Sequence, residues 1–193
     1  MQGAHHTPFY SSGLPSANRP ARDNGRVSVQ DHRAAAPTRV RCAVLTISDT
    51  RTLTTDTGGA VIVSLLTGAG HDVVTHGLVA DDATIVQQWI QSQRSRDDVD
   101  AIITTGGTGI ARRDQAHEAI TQLLDTPIPG FGELFRMLSY QEIGPASMLS
   151  RACAGVSQCR VVIALPGSEG AVRLAMEKLV LPELGHLVRE ARR

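Results

Sequence analysis

The chain has 193 residues, 41% of them apolar, and its 19 basic residues are balanced by 19 acidic ones. That length and apolar content favour a single domain with one good-sized core. A balanced charge excludes a general electrostatic attraction to nucleic acid or anionic membranes, so any anion must be bound by groups placed locally. No apolar run approaches the roughly 20 residues that span a bilayer, and the first residues lack the apolar stretch of a secretory signal. We therefore expect a cytoplasmic protein with no nucleic-acid partner and no membrane partner.

The beginning of the chain differs in composition from the rest. Residues 1–38 are rich in Ser, Pro, Gly, Asn and Arg and show no apolar period. Such a segment cannot bury enough surface to offset the entropy that it would lose on ordering. The sequence therefore predicts a disordered tail over 1–38 and a folded domain over 39–193.

From Val40 onward, short apolar runs alternate with amphipathic stretches, which is typical of a parallel sheet whose strands are joined by crossover helices. The apolar runs predict buried strands at 41–47, 71–79, 99–105 and 160–165. The helical spacing of apolar residues predicts helices after Thr57, after Asp82, around 116–124, at 131–138, at 146–154 and over 171–192. Thr57 and Asp82 are the expected N-caps of the first two helices, and Pro182 is expected to kink the last helix or to start a new one.

Ligands of open parallel sheets bind beyond the carboxyl ends of the strands, where loops lead into helix N-termini. Three loops of this chain occupy such places: the loop at 48–50, the loop at 106–114 and the loop at 166–169. The second loop is the most informative, because a predicted strand runs straight into its glycines.

The glycine loop, defined here as residues 105–109, has the sequence Thr-Gly-Gly-Thr-Gly. Glycines at 106, 107 and 109 lack Cβ atoms, so backbone N–H groups can surround an oxyanion, and Thr105 and Thr108 add hydroxyl donors. The positive end of the helix that follows favours the same guest. The pattern predicts a phosphate site, although a tight strand-to-helix turn also requires glycine and is an equal alternative.

Two cations and a carboxylate follow this loop, at Arg112, Arg113 and Asp114. Arginines beside a phosphate cradle neutralise negative oxygens, and a carboxylate beside them holds a hydrated magnesium ion. The plainer interpretation is that Asp114 caps the next helix and that the arginines are solvated. The segment is neither a P-loop nor a dinucleotide fingerprint, because no Gly-Lys-Ser/Thr follows and Arg112 stands where the last small residue should be.

Acidic residues also follow the first two predicted strands. Asp82 fits the N-cap of the second helix, so Asp81 is the candidate for a second metal-directed carboxylate. Asp49 and Asp56-Thr57 border the first loop, and Ser48 and Thr57 suit contacts with phosphate, but Ser, Thr and Asp are ordinary turn and capping residues, so a structural role is the first interpretation. His117 falls on the first turn of a helix and is interpreted as an exposed histidine rather than a base.

Short motifs follow one another from about Arg41 to Arg192. They are Thr-Ile-Ser-Asp at 46–49, Asp-Thr-Gly at 56–58, Thr-Thr-Gly-Gly-Thr-Gly at 104–109, Arg-Arg-Asp at 112–114, Glu-Ala at 118–119, Pro-Gly-Phe-Gly-Glu at 129–133, Phe-Arg-Met-Leu-Ser at 135–139, Glu-Ile-Gly at 142–144, Ser-Arg-Ala at 150–152 and Leu-Pro-Gly-Ser at 165–168. With these motifs the chain resembles the MoaB/Mog family of molybdenum-cofactor biosynthesis proteins, related to the E domain of gephyrin and the G domain of its plant counterpart. The motifs at 135–139 and 142–144 favour MoaB over Mog.

The resemblance implies a three-layer α/β/α, Rossmann-like fold with a mostly parallel sheet, assembled into homotrimers or homohexamers. It implies molybdopterin as substrate, ATP as co-substrate and Mg²⁺ as cofactor, with other proteins of molybdenum-cofactor biosynthesis as further partners. Active members transfer AMP from Mg-ATP to the terminal phosphate of molybdopterin and release pyrophosphate. By this resemblance the loop at 105–109 holds phosphate, and Asp81 and Asp114 match the two aspartates associated with magnesium and catalysis.

The resemblance also implies a pterin pocket. Its expected residues are Glu133, Arg136 and Ser168, joined by Ser48 and Asp49.

The chain departs from the family pattern at His117, where the family often has proline. Some MoaB proteins have lost adenylylation and lack an aspartate that matches Asp81, whereas this chain keeps an acidic pair there. The pair favours an enzyme, and the alternative is a non-enzymatic molybdopterin-binding or scaffold protein of the same pathway.

Overall fold

The computed structural model describes residues 36–111 and 114–193, so the disorder expected of residues 1–38 falls almost wholly outside the described part of the chain. Strands and helices follow one another in the order β1 (Arg41–Ile47), α1 (Thr57–Gly68), β2 (Asp72–Val79), α2 (Ala83–Arg94), β3 (Ala101–Thr105), α3 (Ala116–Thr121), β4 (Thr126–Pro127), α4 (Pro129–Ile143), a 3₁₀ helix (Gly144–Leu149), β5 (Cys153–Ser157), β6 (Arg160–Leu165), α5 (Glu169–Ala175), a π-helical segment (Met176–Val180) and α6 (Leu181–Ala191). None of the helices in these two described ranges is long and apolar enough to cross a membrane.

The six strands form one sheet in the order β2-β1-β3-β6-β5-β4. The first four of these strands are parallel, whereas β5 runs antiparallel to both of its neighbours. Thr46 lies opposite Thr105, which lies opposite Leu165, and Ile47 lies opposite Val79. The carboxyl ends of four strands are therefore level, and the loops that follow them open at one edge of the sheet.

Helices cover both faces of the sheet, which confirms the predicted three-layer α/β/α architecture. One apolar core joins the sheet to α1, α4, α5 and α6, with Ile62 and Leu184 among its fully buried residues. A second core joins the opposite face to α2 and α3 and includes Ile90. Successive strand residues serve the two cores alternately, because Ile103 of β3 packs in the first and Ile102 in the second.

Asp56, rather than the predicted Thr57, is the N-cap of α1. Its Oδ1 accepts a hydrogen bond from the Gly59 N–H at 2.9 Å. Its Oδ2 accepts one from the Thr46 hydroxyl at 2.6 Å and lies 3.1 Å from Nε2 of His76. The carboxylate is thus buried in a polar network under the end of β1, and the expected cap was one residue too late.

The segment after α4 differs from its prediction. The helix predicted at 146–154 is wrong, because the chain forms the 3₁₀ helix and then β5. Gly144 ends α4 with a φ of 60°. Strand β5 has the sequence Cys-Ala-Gly-Val-Ser, which contains one β-branched residue and gives little strand signal. Its turn into β6 uses positive φ angles of 46° at Gln158 and 60° at Cys159, where glycine or asparagine is the usual signal.

The last helical stretch is continuous but changes its winding. A π-helical segment, Met176–Val180, joins α5 to α6, and Pro182 lies in the first turn of α6. Proline has no N–H and its ring clashes with the carbonyl four residues earlier, so a wider turn before it relieves the conflict. Of the two alternatives predicted for Pro182, the start of a new helix is the one observed.

Candidate ligand site at the carboxyl edge of the sheet

The glycine loop leaves the end of β3 and turns sharply toward α3. Gly106 and Gly107 have φ angles of 93° and 64°, which residues with a side chain rarely adopt. A Cβ at Gly106 would lie 2.2 Å from the backbone oxygen of Ile47, and one at Gly107 would lie 2.4 Å from the Cβ of Ala116. The turn itself requires glycine at these two positions.

Gly109 is glycine for a different reason. It has no positive φ, but a Cβ there would lie 2.2 Å from Oδ2 of Asp114. The same oxygen accepts a hydrogen bond from the Ala111 N–H at 2.8 Å. The N-cap of α3 is Gln115, without a side-chain cap hydrogen bond, so the plainer interpretation of Asp114 as a helix cap is wrong. The carboxylate of Asp114 instead lies against the glycine loop.

Asp81 lies beside Gly107, in the loop between β2 and α2. Its Oδ1 accepts a hydrogen bond from the Ala116 N–H at 3.2 Å, and its Oδ2 would lie 3.5 Å from a Cβ at Gly107. Burial raises the pKa of Asp81, repulsion by Asp114 and Asp49 raises it further, and hydrogen bonds from backbone N–H groups at the start of α3 oppose the change. The edge therefore carries negative charge that the neighbouring protein groups offset only in part.

The carboxylates of Asp81 and Asp114 lie against the glycine loop, and that of Asp49 is tied to the backbone of Asp81. The Oδ1 of Asp49 accepts a hydrogen bond from the Asp81 N–H at 3.0 Å, which ties the loop after β1 to the loop after β2. Asp82 caps α2 as predicted, accepting from two N–H groups of its first turn at 2.8 and 3.0 Å. Within residues 36–111 and 114–193, no group of three or more His, Cys, Asp or Glu side chains is arranged to hold a metal ion. A cation at this edge would need ligand or water oxygens in addition to carboxylates.

Two of the hydroxyl groups predicted to bind a ligand form hydrogen bonds with the protein's own backbone. The Thr105 hydroxyl donates to the carbonyl of Pro166 at 2.8 Å. The Ser48 oxygen accepts from the backbone N–H groups two and three residues further along, at 3.3 and 3.2 Å. Thr108 is largely buried. These contacts shape the loops, and they leave backbone N–H groups as the main candidates for contact with an anion.

The loop after β6 packs directly on the glycine loop. A Cβ at Gly167 would lie 3.4 Å from the Cα of Gly106. Ser168, beside it, is exposed at the N-cap of α5, and its side chain makes no cap hydrogen bond. A small cavity of about 110 Å³ lies at this junction; its lining residues include Ser48, Arg51 and Gly106.

Glu133 and Arg136 lie in a separate cleft of about 350 Å³. Its walls come from α3, α4 and the start of β5, and none of residues 105–109 lines it. His117 also lines this cleft and is half-buried, which corrects the expectation of an exposed histidine. Burial lowers the pKa of His117, and the charge of Arg151 lowers it further. The structure thus brings Glu133 and Arg136 together, but in a compartment beside the glycine loop.

Arg151 stands between this cleft and the glycine loop. It lines the cleft, and its Nε donates to the carbonyl of Thr108 at 3.1 Å. It also donates to the carbonyl of Gly109 and forms an ion pair with Glu118. No individual role is predicted for Arg151 from sequence, where its signal is its place in the Ser-Arg-Ala motif. The predicted phosphate ligand Arg112 lies outside the described residues.

The level strand ends, the glycine loop and its carboxylates define a three-layer α/β/α protein with a ligand crevice at the carboxyl edge of a parallel sheet. The chain belongs to the family described as "Probable molybdopterin binding domain", whose model matches residues 43–186. The likeness to MoaB and Mog inferred from the motifs is thereby confirmed.

Individual relatives agree with this membership. The chain is 52% identical over 165 residues to Molybdenum cofactor biosynthesis protein B of Halalkalibacterium halodurans, covering 85% of this chain and 97% of that protein. A crystal structure of Molybdenum cofactor biosynthesis protein B is 53% identical, with a TM-score of 0.79, and covers 82% of this chain and 99% of that one. The structure of the tungsten cofactor synthesizing protein MoaB from Pyrococcus furiosus is 36% identical, with a TM-score of 0.73. The match covers 82% of this chain and 100% of that one. A MogA structure is 31% identical with a TM-score of 0.71, covering 78% and 99%, so the greater likeness is to MoaB, as the motifs at 135–139 and 142–144 predict.

Proposed function

We propose that this protein acts in molybdenum-cofactor biosynthesis, where it binds molybdopterin and transfers AMP from Mg-ATP to the terminal phosphate of that substrate, releasing pyrophosphate. Relatives that are about half identical carry the name Molybdenum cofactor biosynthesis protein B, which supports the pathway. The observation that carries the enzymatic part is the placement of Asp81 and Asp114 against the glycine loop, at Gly107 and Gly109.

The reaction needs no nucleophile from the protein. An oxygen of the molybdopterin phosphate attacks the α-phosphorus of ATP, and the bond from that phosphorus to the oxygen bridging to the β-phosphate breaks. The electron pair leaves with pyrophosphate. Catalysis then depends on alignment of two anionic substrates and on compensation of their charge. Backbone N–H groups of the glycine loop supply the first donors for an oxyanion.

The donor set fits a magnesium ion at this edge. Asp81 and Asp114 are oxygen donors on two different loops, and repulsion between them is one of the effects that raise the pKa of Asp81. Two carboxylates combined with phosphate oxygens and water are the usual environment of Mg²⁺. When bound, the ion would offset the charge of the phosphate groups. The carboxylates of Asp81 and Asp114 would hold it beside the glycine loop.

The cleft that contains Glu133 and Arg136 is our candidate for the pterin. Its volume of about 350 Å³ falls within the range of small-molecule pockets, and its lining combines apolar walls with charged side chains. Arg136 provides cationic donors there, and Glu133 provides an acceptor for pterin N–H groups. Arg151 also contacts the glycine loop, so a ligand held in the cleft would extend toward the proposed phosphate site.

One observation favours the alternative of a binding or scaffold protein without catalysis. The carboxylates of Asp81 and Asp114 both accept hydrogen bonds from backbone N–H groups, of Ala116 and Ala111, and these bonds hold the loops together. A purely structural role for both aspartates would preserve molybdopterin binding without transfer of AMP.

The two functions are separated by incubating the purified full chain with molybdopterin, ATP and Mg²⁺ and measuring pyrophosphate. We expect release of pyrophosphate that depends on Mg²⁺ and is lost in Asp81→Ala and Asp114→Ala. Tight molybdopterin binding without pyrophosphate would establish the scaffold function instead. Tight binding of ATP without any binding of molybdopterin would refute both.

We further infer that the protein is a homotrimer or homohexamer. Large apolar side chains remain exposed on α4 and on the following 3₁₀ helix, namely Leu134, Met137, Tyr140, Ile143, Met148 and Leu149. A contiguous apolar surface of this kind is typical of an interface. Light scattering during gel filtration gives the mass, and a monomer at micromolar concentration would contradict the inference.

A further inference from the structure

Arg151 holds backbone carbonyl groups on both sides of the turn that leads from the glycine loop to α3. Its Nε donates to Thr108 O at 3.1 Å, and its Nη2 donates to Gly109 O and lies 3.4 Å from Asp114 O. Its Nη1 forms an ion pair with Glu118. The Arg151 side chain is 22% exposed, and its contacts with the carbonyls of Thr108 and Asp114 are partly buried, whereas the ion pair with Glu118 faces solvent.

Because peptide units are planar, these contacts also determine the direction of the N–H groups on the opposite side of the loop. In a planar trans peptide, the C=O of one residue and the N–H of the next point in opposite directions. A side chain that holds the carbonyls of Thr108, Gly109 and Asp114 on its own side therefore directs the next three N–H groups away from itself. These N–H groups belong to Gly109, Ile110 and Gln115. The N–H group of Gln115 is close enough to the carboxylate of Asp81 to oppose the rise in its pKa.

We infer that Arg151 is a positioning residue, which acts from outside the glycine loop to direct the N–H groups of Gly109 and Ile110 toward the anion, and that Glu118 fixes the guanidinium in place. The identity of the anion, a phosphate or pyrophosphate group, rests on the proposed function, whereas the geometry does not. Glu118 offsets the charge of Arg151, so the arginine acts on the backbone rather than as a phosphate ligand.

An arginine that positions the backbone and an arginine that binds phosphate directly predict different behaviour for Arg151→Lys. An ammonium group keeps the charge and would retain most of a direct phosphate contact. It cannot reproduce the planar set of donors that reaches several carbonyls and a carboxylate at once. Weaker binding together with faster exchange of the loop amides in the lysine variant therefore indicates positioning.

The experiment compares the full chain with Arg151→Lys, with Glu118→Gln and with the control Arg173→Lys, whose arginine pairs with Glu169 and Glu177 on the surface. Binding of inorganic pyrophosphate is measured by calorimetry, and amide hydrogen exchange is measured for 106–111 and for β6. We expect Arg151→Lys to weaken binding and to speed exchange of 106–111 by about tenfold each, as for the loss of one charged hydrogen bond. Glu118→Gln should give about a threefold effect, and exchange in β6 and the control should not change.

Wild-type binding together with wild-type loop exchange in Arg151→Lys overturns the inference. Should Arg151→Lys unfold, binding and loop exchange are compared between wild type and Glu118→Gln instead. The Glu118→Gln variant should fold, because it loses only one exposed charge. Faster loop exchange in a protein that binds no pyrophosphate even as wild type supports positioning and refutes the proposed function. Full adenylylation by Arg151→Lys, with an active wild type, refutes positioning and leaves the proposed function standing.

Discussion

The carboxylate of Asp114 occupies the space that a side chain at Gly109 would need. A Cβ there would lie 2.2 Å from Oδ2 and 2.9 Å from Cγ of Asp114. At Gly106, by contrast, the obstacle is the backbone oxygen of Ile47 and the φ angle is positive. Glycine at 109 therefore leaves room for the carboxylate of Asp114, whereas glycine at 106 allows the backbone to turn.

Gly109→Ala should displace Asp114 without straining the backbone, because the added methyl group meets only the end of a side chain. A displacement of this size costs about 100-fold in kcat/KM where alignment governs the rate. The melting temperature should stay within about 2 °C of wild type. The control is Gly130→Ala in the first turn of α4, where nothing lies within 4 Å, and it should keep full activity. An active Gly109→Ala protein would remove Asp114 from the catalytic scheme.

Asp81→Asn should stabilise the protein while inactivating it. Burial and repulsion by Asp114 and Asp49 raise the pKa of Asp81 in the folded state. The native state thus binds this proton more tightly than the unfolded chain does. Protonated Asp81 therefore stabilises the fold fully below the unfolded pKa of about 3.9, and this stabilisation is lost as pH rises through the raised folded-state pKa. Near neutral pH the asparagine variant should melt about 2 °C higher and lose at least about 100-fold in adenylylation. A lower melting temperature at neutral pH would show that the carboxylate is structural.

Asp82→Ala is the matched control, because it removes the neighbouring carboxylate from the same loop. Asp82 caps α2 through two backbone hydrogen bonds, and loss of such a cap costs about 1 kcal/mol. We expect the melting temperature to fall by about 2–4 °C, with kcat/KM unchanged. Reduced activity in this variant would mean that the acidic pair acts as a unit.

The parallel part of the fold could be predicted from sequence because β1, β3 and β6 are almost wholly buried and its helices carry local signals. Strand β1 contains the apolar run Cys-Ala-Val-Leu, and Asp82 directly precedes the helix that it caps. The antiparallel part could not be predicted, because β5 depends on pairing with β6 and on a turn with positive φ at Gln158 and Cys159. These determinants are tertiary and leave no periodic pattern.

In the site, too, residues with a local sequence signal could be predicted and residues placed by tertiary contacts could not. The glycine loop and Asp81 were recognisable because each directly follows a strand. Arg151 reaches residues 42 and 43 positions earlier in the chain, and nothing in the local sequence reports such a contact. The shift of the α1 cap from Thr57 to Asp56 is also tertiary in origin, because Asp56 is held by Thr46 and His76.

Asp56→Ala should destabilise the fold more than any catalytic variant. It would leave the Gly59 N–H, the Thr46 hydroxyl and His76 without their buried acceptor. A loss of about 3 kcal/mol is expected, or about 6–12 °C in melting temperature for a chain of this size. Thr57→Ala, at the exposed next residue, should change stability by less than about 0.5 kcal/mol. Equal effects of the two substitutions would contradict the assignment of Asp56 as the cap.

Asp100→Asn should lower stability near neutral pH and much less in acid. Burial raises the pKa of Asp100, but hydrogen bonds from Arg41 at 2.7 to 3.1 Å and the charge of Arg192 outweigh it, so the folded-state pKa lies below its ordinary value. The stabilisation is therefore present above the unfolded pKa of about 3.9 and is lost as pH falls through the lowered value. Melting temperatures of wild type and variant should converge as the pH is lowered. Asp98→Asn breaks the exposed pair with Arg96 and should have almost no effect at any pH, because solvent screens such pairs. A gap between wild type and Asp100→Asn that stays constant into acid would mean that Asp100 stabilises the fold by packing rather than by its charge.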